Sequence, residues 1–215
     1  GERVCDGGAR QGKVLMEVKG TQVNQEGRSA SFMAPNGPSQ EAVIKSCLLD
    51  ANVSASELSF VEAHGTGTAL GDPMEIDALH RAIGDRNSAS ALVLGAIKTQ
   101  TGHTEGAAGV MGVIKSALVL MNRSAPGNLH LKELNPKLDL EGFAVVMPGA
   151  GKQQALQSEL PCAGVSSFGY TGTNGHTLMQ AASFNAFASV PHAAEYTRQE
   201  FIWWTRTHPL LERWW

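Results

Sequence analysis

Charged side chains are scarce in this sequence: Asp, Glu, Lys and Arg make up 17% of 215 residues, against ~25% in an average soluble domain. The formal net charge is −3 and no basic stripe runs along the chain, so the electrostatic footprint that phosphate backbones require is missing and nucleic acid is excluded as a partner. No apolar run approaches the ~18 residues of a membrane span, and no membrane association is expected. Cysteine is sparse as well. Cys5, Cys47 and Cys162 are odd in number, far apart and free of any CxxC pair, which excludes a disulfide framework or a zinc ribbon. They suit a reducing compartment, the cytoplasm, a plastid being compatible too. The opening Gly1-Glu2-Arg3-Val4-Cys5 is neither a signal peptide nor an initiator Met, so the sequence reads as beginning inside a longer protein.

What is present is glycine and apolar bulk. There are 24 glycines in 215 residues and 42% hydrophobic residues, a glycine share above the usual ~7%. Such a mix describes a turn-rich, enzyme-like body and excludes a disordered tail, a coiled coil or a collagen. The length gives one large domain or two small ones, able to bury roughly 70% of the unfolded surface.

Hydrophobic periodicity orders the elements. Val14, Met16 and Val18 alternate over residues 13–19 as in a half-buried strand, and a polar turn is expected over 21–38. Ala42, Val43, Cys47 and Leu48 fall at helical spacing within 39–51, with Pro38 suited to the helix start. Interior-type strands follow at 58–63 and 92–97, each leading through a Gly-rich loop to a helix, near 74–83 and over 104–121. The last should be the longest helix and buried on most sides, since Gly106-Ala107-Ala108-Gly109 lets backbones approach closely. Late strands are expected near 143–147, 163–168 and 177–180. Strand and helix in alternation predict a layered α/β body with parallel pairing. Residues 1–181 form that body. Residues 182–215, with Trp203, Trp204, Trp214 and Trp215, read as an irregular linker or docking tail.

Three loops could carry chemistry. In the first, His64 follows a strand and precedes Gly65-Thr66-Gly67-Thr68, with Gly71-Asp72-Pro73 beyond. The site-like reading places a His and two hydroxyls at the C-terminal end of an α/β strand; the plain one is a structural His beside a turn. A nucleotide-binding glycine string competes, but Asp72-Pro73 should interrupt the passage into the helix and repel a pyrophosphate. In the second loop, Lys98, His103 and Glu105 sit within eight residues at the mouth of a helix, whose positive end favours a neutral imidazole able to hydrogen-bond an oxyanion. Alternatively Lys98 and Glu105 form a surface pair and His103 only caps. The third, from Gly164 through Phe168, Gly169, Tyr170, Gly172 and Asn174 to His176, is either a strained turn aiming backbone N–H groups at one spot or a β-hairpin with a Gly-rich bulge. Metal binding by His64, His103 and His176 is disfavoured, since HxxxH or HExxH spacing and an acidic or thiolate cluster are absent.

Together these residues resemble the ketosynthase (β-ketoacyl synthase) family of polyketide and fatty-acid synthases. The stretches Val23-Asn24-Gln25-Glu26-Gly27-Arg28, Ala34-Pro35-Asn36-Gly37-Pro38, Glu62-Ala63-His64-Gly65-Thr66-Gly67-Thr68 with Gly71-Asp72-Pro73, Lys98 with Gly102-His103, Asn135-Pro136, and Gly164-Val165-Ser166-Ser167-Phe168-Gly169 with Gly172-Thr173-Asn174 occur in the family's order. The resemblance implies the thiolase-like fold, a duplicated α/β core of layers αβαβα, of which this chain is similar to the C-terminal half. It implies an acyltransferase that condenses an acyl thioester, held on a Cys, with a decarboxylating malonyl group carried by the phosphopantetheine of an acyl carrier protein. No cofactor is then bound directly, and no metal.

By the same resemblance His64 and His103 are catalytic and Lys98 anchors their network, with Glu105 and Asn174 in support. Thr66 and Thr68 contact the pantetheine arm. Tyr170 and Phe168 form the oxyanion and gating element, the Tyr170 N–H supplying half of the hole. The family's nucleophilic Cys lies upstream of everything here. Cys47 falls inside a helix and Cys162 precedes a strand, so both read as buried thiols. The missing N-terminal half of the ketosynthase is therefore an expected partner, alongside the carrier protein and a second copy in a homodimer, and the chain alone should not turn over. Two other readings stand beside this one: a non-catalytic carrier-binding or docking module using the Trp-rich tail, and a hydrolase built on Cys162.

Overall fold

The computed structural model describes residues 14–27 and 35–182. The proposed tail over 182–215 falls, after residue 182, outside the described residues, as does Cys5.

A six-stranded sheet forms the centre, in the order β1-β8-β7-β2-β3-β5. Its strands are β1 (Met16–Gln25), β2 (Leu58–Glu62), β3 (Leu92–Gly95), β5 (Val145–Val146), β7 (Cys162–Phe168) and β8 (Thr173–Ala181). The pairs β7–β2, β2–β3 and β3–β5 are parallel, while β8 runs antiparallel to both β7 and β1. The predicted parallel pairing thus holds for the centre, and the sheet is mixed at one side. A separate two-stranded ribbon joins β4 (Ser124–Pro126) to β6 (Gln153–Ala155); neither strand was legible in the hydrophobic pattern, being short and polar.

Helices cover both faces. Helix α1 (Gly37–Ala51) starts where Asn36 accepts the Ser39 N–H at 3.1 Å, with Pro38 in its first turn. It packs with α2 (Gly71–Ile83) over a cluster containing Val43, Ile44, Cys47, Leu79, Leu58, Val61, Leu94 and Leu178. The opposite face carries α4 (Ala108–Asn122), whose Val119 and Leu120 meet Phe60, Val93, Ala163, Val165 and Met179. Strands β2 and β7 are sandwiched between the layers, which is why their sequences are largely apolar and do not alternate strictly.

Several expectations shift. Strand β1 extends to Gln25, because every residue from Thr21 to Gln25 pairs with β8 although the segment is polar. It is an edge strand, and Val18 and Val23 are 62% and 66% exposed. Helix α2 begins at Gly71, so Asp72-Pro73 lies within its first turn, where proline's missing N–H is harmless, and does not interrupt it. Residues 98–101, expected as loop, form one helical turn, α3 (Lys98–Thr101). The strand expected over 143–147 shrinks to Val145–Val146. Helix α4 is no longer than α1, and it is not buried on most sides: Val110, Ile114 and Leu118, at helical spacing, are half or more exposed. Val23 of β1 and Val110 of α4 line one open groove. No helix among the described residues is long and apolar enough to cross a membrane.

Burial therefore differs sharply between equivalent aliphatic residues. Leu178, fully buried in the central layer, should lose about 2–5 kcal/mol of unfolding free energy on replacement by Ala. Ile114→Ala, on the exposed stripe of α4, should cost within about 0.5 kcal/mol. Urea denaturation of the two variants checks the difference.

Candidate functional site

Parallel neighbours β7, β2 and β3 end at one edge of the sheet, and all three chemical loops leave from that edge. His64 follows β2 by two residues, Lys98 follows β3, and Phe168 closes β7. Open α/β sheets place their sites outside the carboxyl ends of strands for this reason.

The His64 loop is held by a side chain that the sequence reading did not single out. Glu75, buried on α2, accepts the His64 N–H at 2.7 Å on Oε1 and the Gly65 N–H at 2.9 Å on Oε2. Gly65 has a φ of +51°, and a Cβ there would lie 2.8 Å from the Ala96 Cβ, so this turn requires glycine. Burial pushes the Glu75 carboxyl up to about 7, against the pull of its two N–H donors. On the second loop, α3 ends at Gly102, which adopts a φ of +72° and delivers His103 toward His64.

The two imidazoles meet edge to face, with ring centroids 5.7 Å apart and planes at 83°. His64 Nδ1 accepts the Phe168 N–H at 3.3 Å. His103 Nδ1 accepts the Glu105 N–H at 3.0 Å. An imidazole nitrogen that accepts carries no proton, so the hydrogen-bond network assigns the neutral Nε2–H tautomer to both rings. Burial, then the nearby Lys98 cation, lowers the His64 pKa to about 4. His64 is accordingly a neutral donor at pH 7. Half-buried Lys98 has its pKa lowered by burial, with Glu75 and Glu62 opposing that shift.

The other expected residues separate into those at the edge and those away from it. Thr66 and Thr68 lie on the His64 loop with hydroxyls 3.4 Å apart, and Thr68 Oγ1 accepts the Gly71 N–H. Tyr170 is 69% exposed on the turn 169–172 between β7 and β8, an antiparallel hairpin. The Phe168 ring is buried, 5.5 Å from the His64 ring, and its N–H donates to His64 Nδ1 and so orients the imidazole. Glu105 supports His103 through its backbone, at a φ of +48°, while its side chain is exposed. Asn174 is fully buried and donates to Ser39 Oγ at 3.4 Å, tying β8 to α1.

The competing readings fare poorly on this geometry. Asp72 accepts the Gly67 N–H at 3.0 Å, and with Thr68 on the Gly71 N–H the loop spends inward the donors a pyrophosphate would need. His176 is buried beside Ser166, whose Oγ is 3.1 Å from its Nδ1. No group of three His, Cys, Asp or Glu among the described residues is placed to hold a metal ion. Cys47 and Cys162 are fully buried, and burial pushes their thiols up to about 11 and about 12, the reverse of nucleophile activation.

The family described as Beta-ketoacyl synthase, C-terminal domain, matches residues 15–132. Polyketide synthase GfsA of Streptomyces halstedii is 42% identical over 183 residues, 85% of this chain and 2% of that protein. Erythronolide synthase EryA2 of Saccharopolyspora erythraea is 45% identical over 179 residues, 79% of this chain and 5% of that protein. Among solved structures, the oxazolomycin ketosynthase domain OzmH KS7 of Streptomyces albus JA3453 superposes with a TM-score of 0.73 at 33% identity, over 79% of this chain and 30% of that one. Ketosynthase twelve of the bacillaene polyketide synthase of Bacillus amyloliquefaciens gives a TM-score of 0.72 at 33% identity, over 78% and 30%. The chain belongs to the β-ketoacyl synthase family, with a thiolase-like fold, and carries its C-terminal domain. It spans a small fraction of the length of the curated relatives that it matches.

Beyond Glu75, the sequence reading passed over a buried ion pair, Lys115 Nζ to Glu62 Oε2 at 2.8 Å. Both had a signal. A carboxylate closing an apolar strand and a lysine inside the apolar run Val113-Ile114-Lys115 each demand a partner.

The tautomer assignment is directly observable. Nitrogen-15 imidazole spectra should show Nε2–H for both His64 and His103, and His64 should titrate with a midpoint near 4. The folded-state pKa of His64 lies below the ordinary value of 6.5, so between these limits the unfolded chain binds more protons and stability falls as pH drops through that window.

Proposed function

We propose that this chain supplies the decarboxylation and carrier-binding part of a ketosynthase site, in an acyltransferase that performs decarboxylative Claisen condensation for polyketide synthesis. The observation that carries the reading is the pair of imidazoles brought edge to face, ring centroids 5.7 Å apart, each accepting a backbone N–H at Nδ1 and so left with Nε2–H to donate.

In this reading the thioester carbonyl oxygen of a malonyl group accepts from His64 Nε2–H and His103 Nε2–H. The bond from the α-carbon to the carboxylate breaks and carbon dioxide leaves. The electron pair forms an enolate whose oxygen both imidazoles hold, a task suited to donors fixed before charge develops. The α-carbon then attacks the acyl carbon of a Cys thioester, and the thiolate departs as the β-ketoacyl product forms on the carrier. That Cys would come from polypeptide preceding this chain, since neither described thiol lies in an activating setting.

Lys98 keeps the site positive, which opposes protonation of His64 and favours the enolate. Thr66 and Thr68 flank the approach of the pantetheine arm, and Tyr170 sits at the hairpin tip where the acyl group would enter. An acyl carrier protein brings the substrate, the N-terminal half completes the sheet-and-helix layers over α4, and two complete ketosynthases pair. Residues 1–181 are the catalytic body and 182–215 a linker or docking tail, in a reducing compartment such as the cytoplasm.

In the complete ketosynthase, His64→Ala and His103→Ala should each lower the rate of malonyl-thioester decarboxylation by roughly 10²–10³-fold, the loss seen for one oxyanion donor. Acylation of the nucleophilic Cys should persist. Radiolabelled carbon dioxide release and acyl-enzyme mass spectrometry separate the two. Undiminished decarboxylation in both variants would overturn the reading.

A further inference from the structure

Glu62 and Lys115 are almost fully removed from solvent, at 1% and 5% side-chain exposure, and stand 2.8 Å apart between the sheet and α4. Neither Glu62 Oε2 nor Lys115 Nζ makes an aligned hydrogen bond among the described residues, so each is answered chiefly by the other's charge. Burial raises the Glu62 pKa and Lys115 lowers it. A pair like this is a weak stabiliser, because apolar residues of similar volume usually serve as well or better.

Its surroundings are shaped around it. A Cβ on Gly95 would lie 2.7 Å from Lys115 Nζ and 3.0 Å from Glu62 Oε2, and one on Gly112 would lie 3.3 Å from Glu62 Cγ. Two glycines on different elements thus leave the space the pair fills. The second carboxylate oxygen has another task. Glu62 Oε1 accepts the N–H of Ile97, the residue immediately before Lys98. Glu62 itself lies two residues before His64. One carboxylate therefore stands at the root of both histidine loops, and α4 supplies its counter-charge.

We propose that the Glu62–Lys115 pair, seated in the slot left by Gly95 and Gly112, is the positioning device that fixes the Lys98–His103 loop against the His64 loop, so that both imidazoles address one substrate oxygen. The inference rests on the function proposed above and deepens it. Lys115 stands against one oxygen of the Glu62 carboxyl, and the other oxygen holds the Ile97 N–H. The neighbouring Ala96 N–H is held independently, by Asn128 Oδ1 at 2.9 Å.

The test compares two double variants of the complete ketosynthase. Glu62→Gln with Lys115→Met removes both charges and keeps an acceptor for Ile97; Glu62→Leu with Lys115→Met removes the acceptor too. Amide exchange by NMR should show faster exchange at Ile97 in the Leu variant, near-normal exchange in the Gln variant, and little change at Ala96 in either. Malonyl-thioester decarboxylation should fall by about 10²-fold in kcat in the Leu variant, the scale of an ångström-level misplacement, with KM changed less, and recover at least tenfold with Gln. Gly95→Ala, which crowds the pair while removing no polar group, provides a second route if the Leu variant does not fold, and should also speed Ile97 exchange. Unchanged Ile97 exchange and decarboxylation in a folded Leu variant, or in Gly95→Ala, would overturn the inference. The exchange result decides the positioning role even if His64→Ala shows that decarboxylation belongs elsewhere.

Discussion

A backbone N–H donated to Nδ1 fixes a neutral imidazole as its Nε2–H tautomer, and this molecule meets that condition twice. Phe168 meets it for His64 and Glu105 for His103, each through a backbone N–H. Backbone donors suit the purpose because the fold fixes them and they cannot titrate. The condition in turn requires the end of β7 to lie beside the end of β2, which the parallel pairing of these strands provides. It also requires an abrupt turn before His103, which Gly102 provides. The sheet order and the tautomers are thus parts of one constraint.

Charge placement is the second part. Burial drives His64 toward its neutral form, and the cation of Lys98 pushes the same way. A half-buried cation needs compensation, and Lys98 receives it from Glu75 and Glu62. Glu75 ties down the backbone of His64 and Gly65, while Glu62 ties down Ile97. The low charge content of the sequence becomes intelligible on this view. A small number of charges lie inside, each with a carboxylate, an ammonium or a peptide N–H assigned to it, and stray charges would disturb the donor pair.

Comparison of sequence and structure shows where local patterns are sufficient. Helix α1 was legible because Pro38 and the spacing of Ala42, Val43, Cys47 and Leu48 are signals carried within fifteen residues or so of chain. Strands β2 and β7 were legible as short, largely apolar stretches. The outer half of β1 was not, since Thr21 to Gln25 owe their extended form to pairing with β8, far away in sequence. Nor was the exposure of Val110, Ile114 and Leu118, because an apolar helix stripe reads the same whether or not the surface that covers it belongs to the same stretch of chain.

At the site, the sequence by itself determined which chemical groups are available: His64, His103, Lys98, the two threonines and the hairpin containing Tyr170, in an order specific enough to identify a family. It also determined that neither Cys47 nor Cys162 lies in the setting of a nucleophile. Tertiary structure alone decided that the two rings meet, that both present Nε2–H, and that the Phe168 N–H holds an imidazole. The physical reason is one of range. Helix caps, turns and hydrophobic period act between near neighbours in the chain, whereas tautomer, burial and ion pairing are set by whatever atoms the sheet brings within a few ångströms, whatever their separation in sequence.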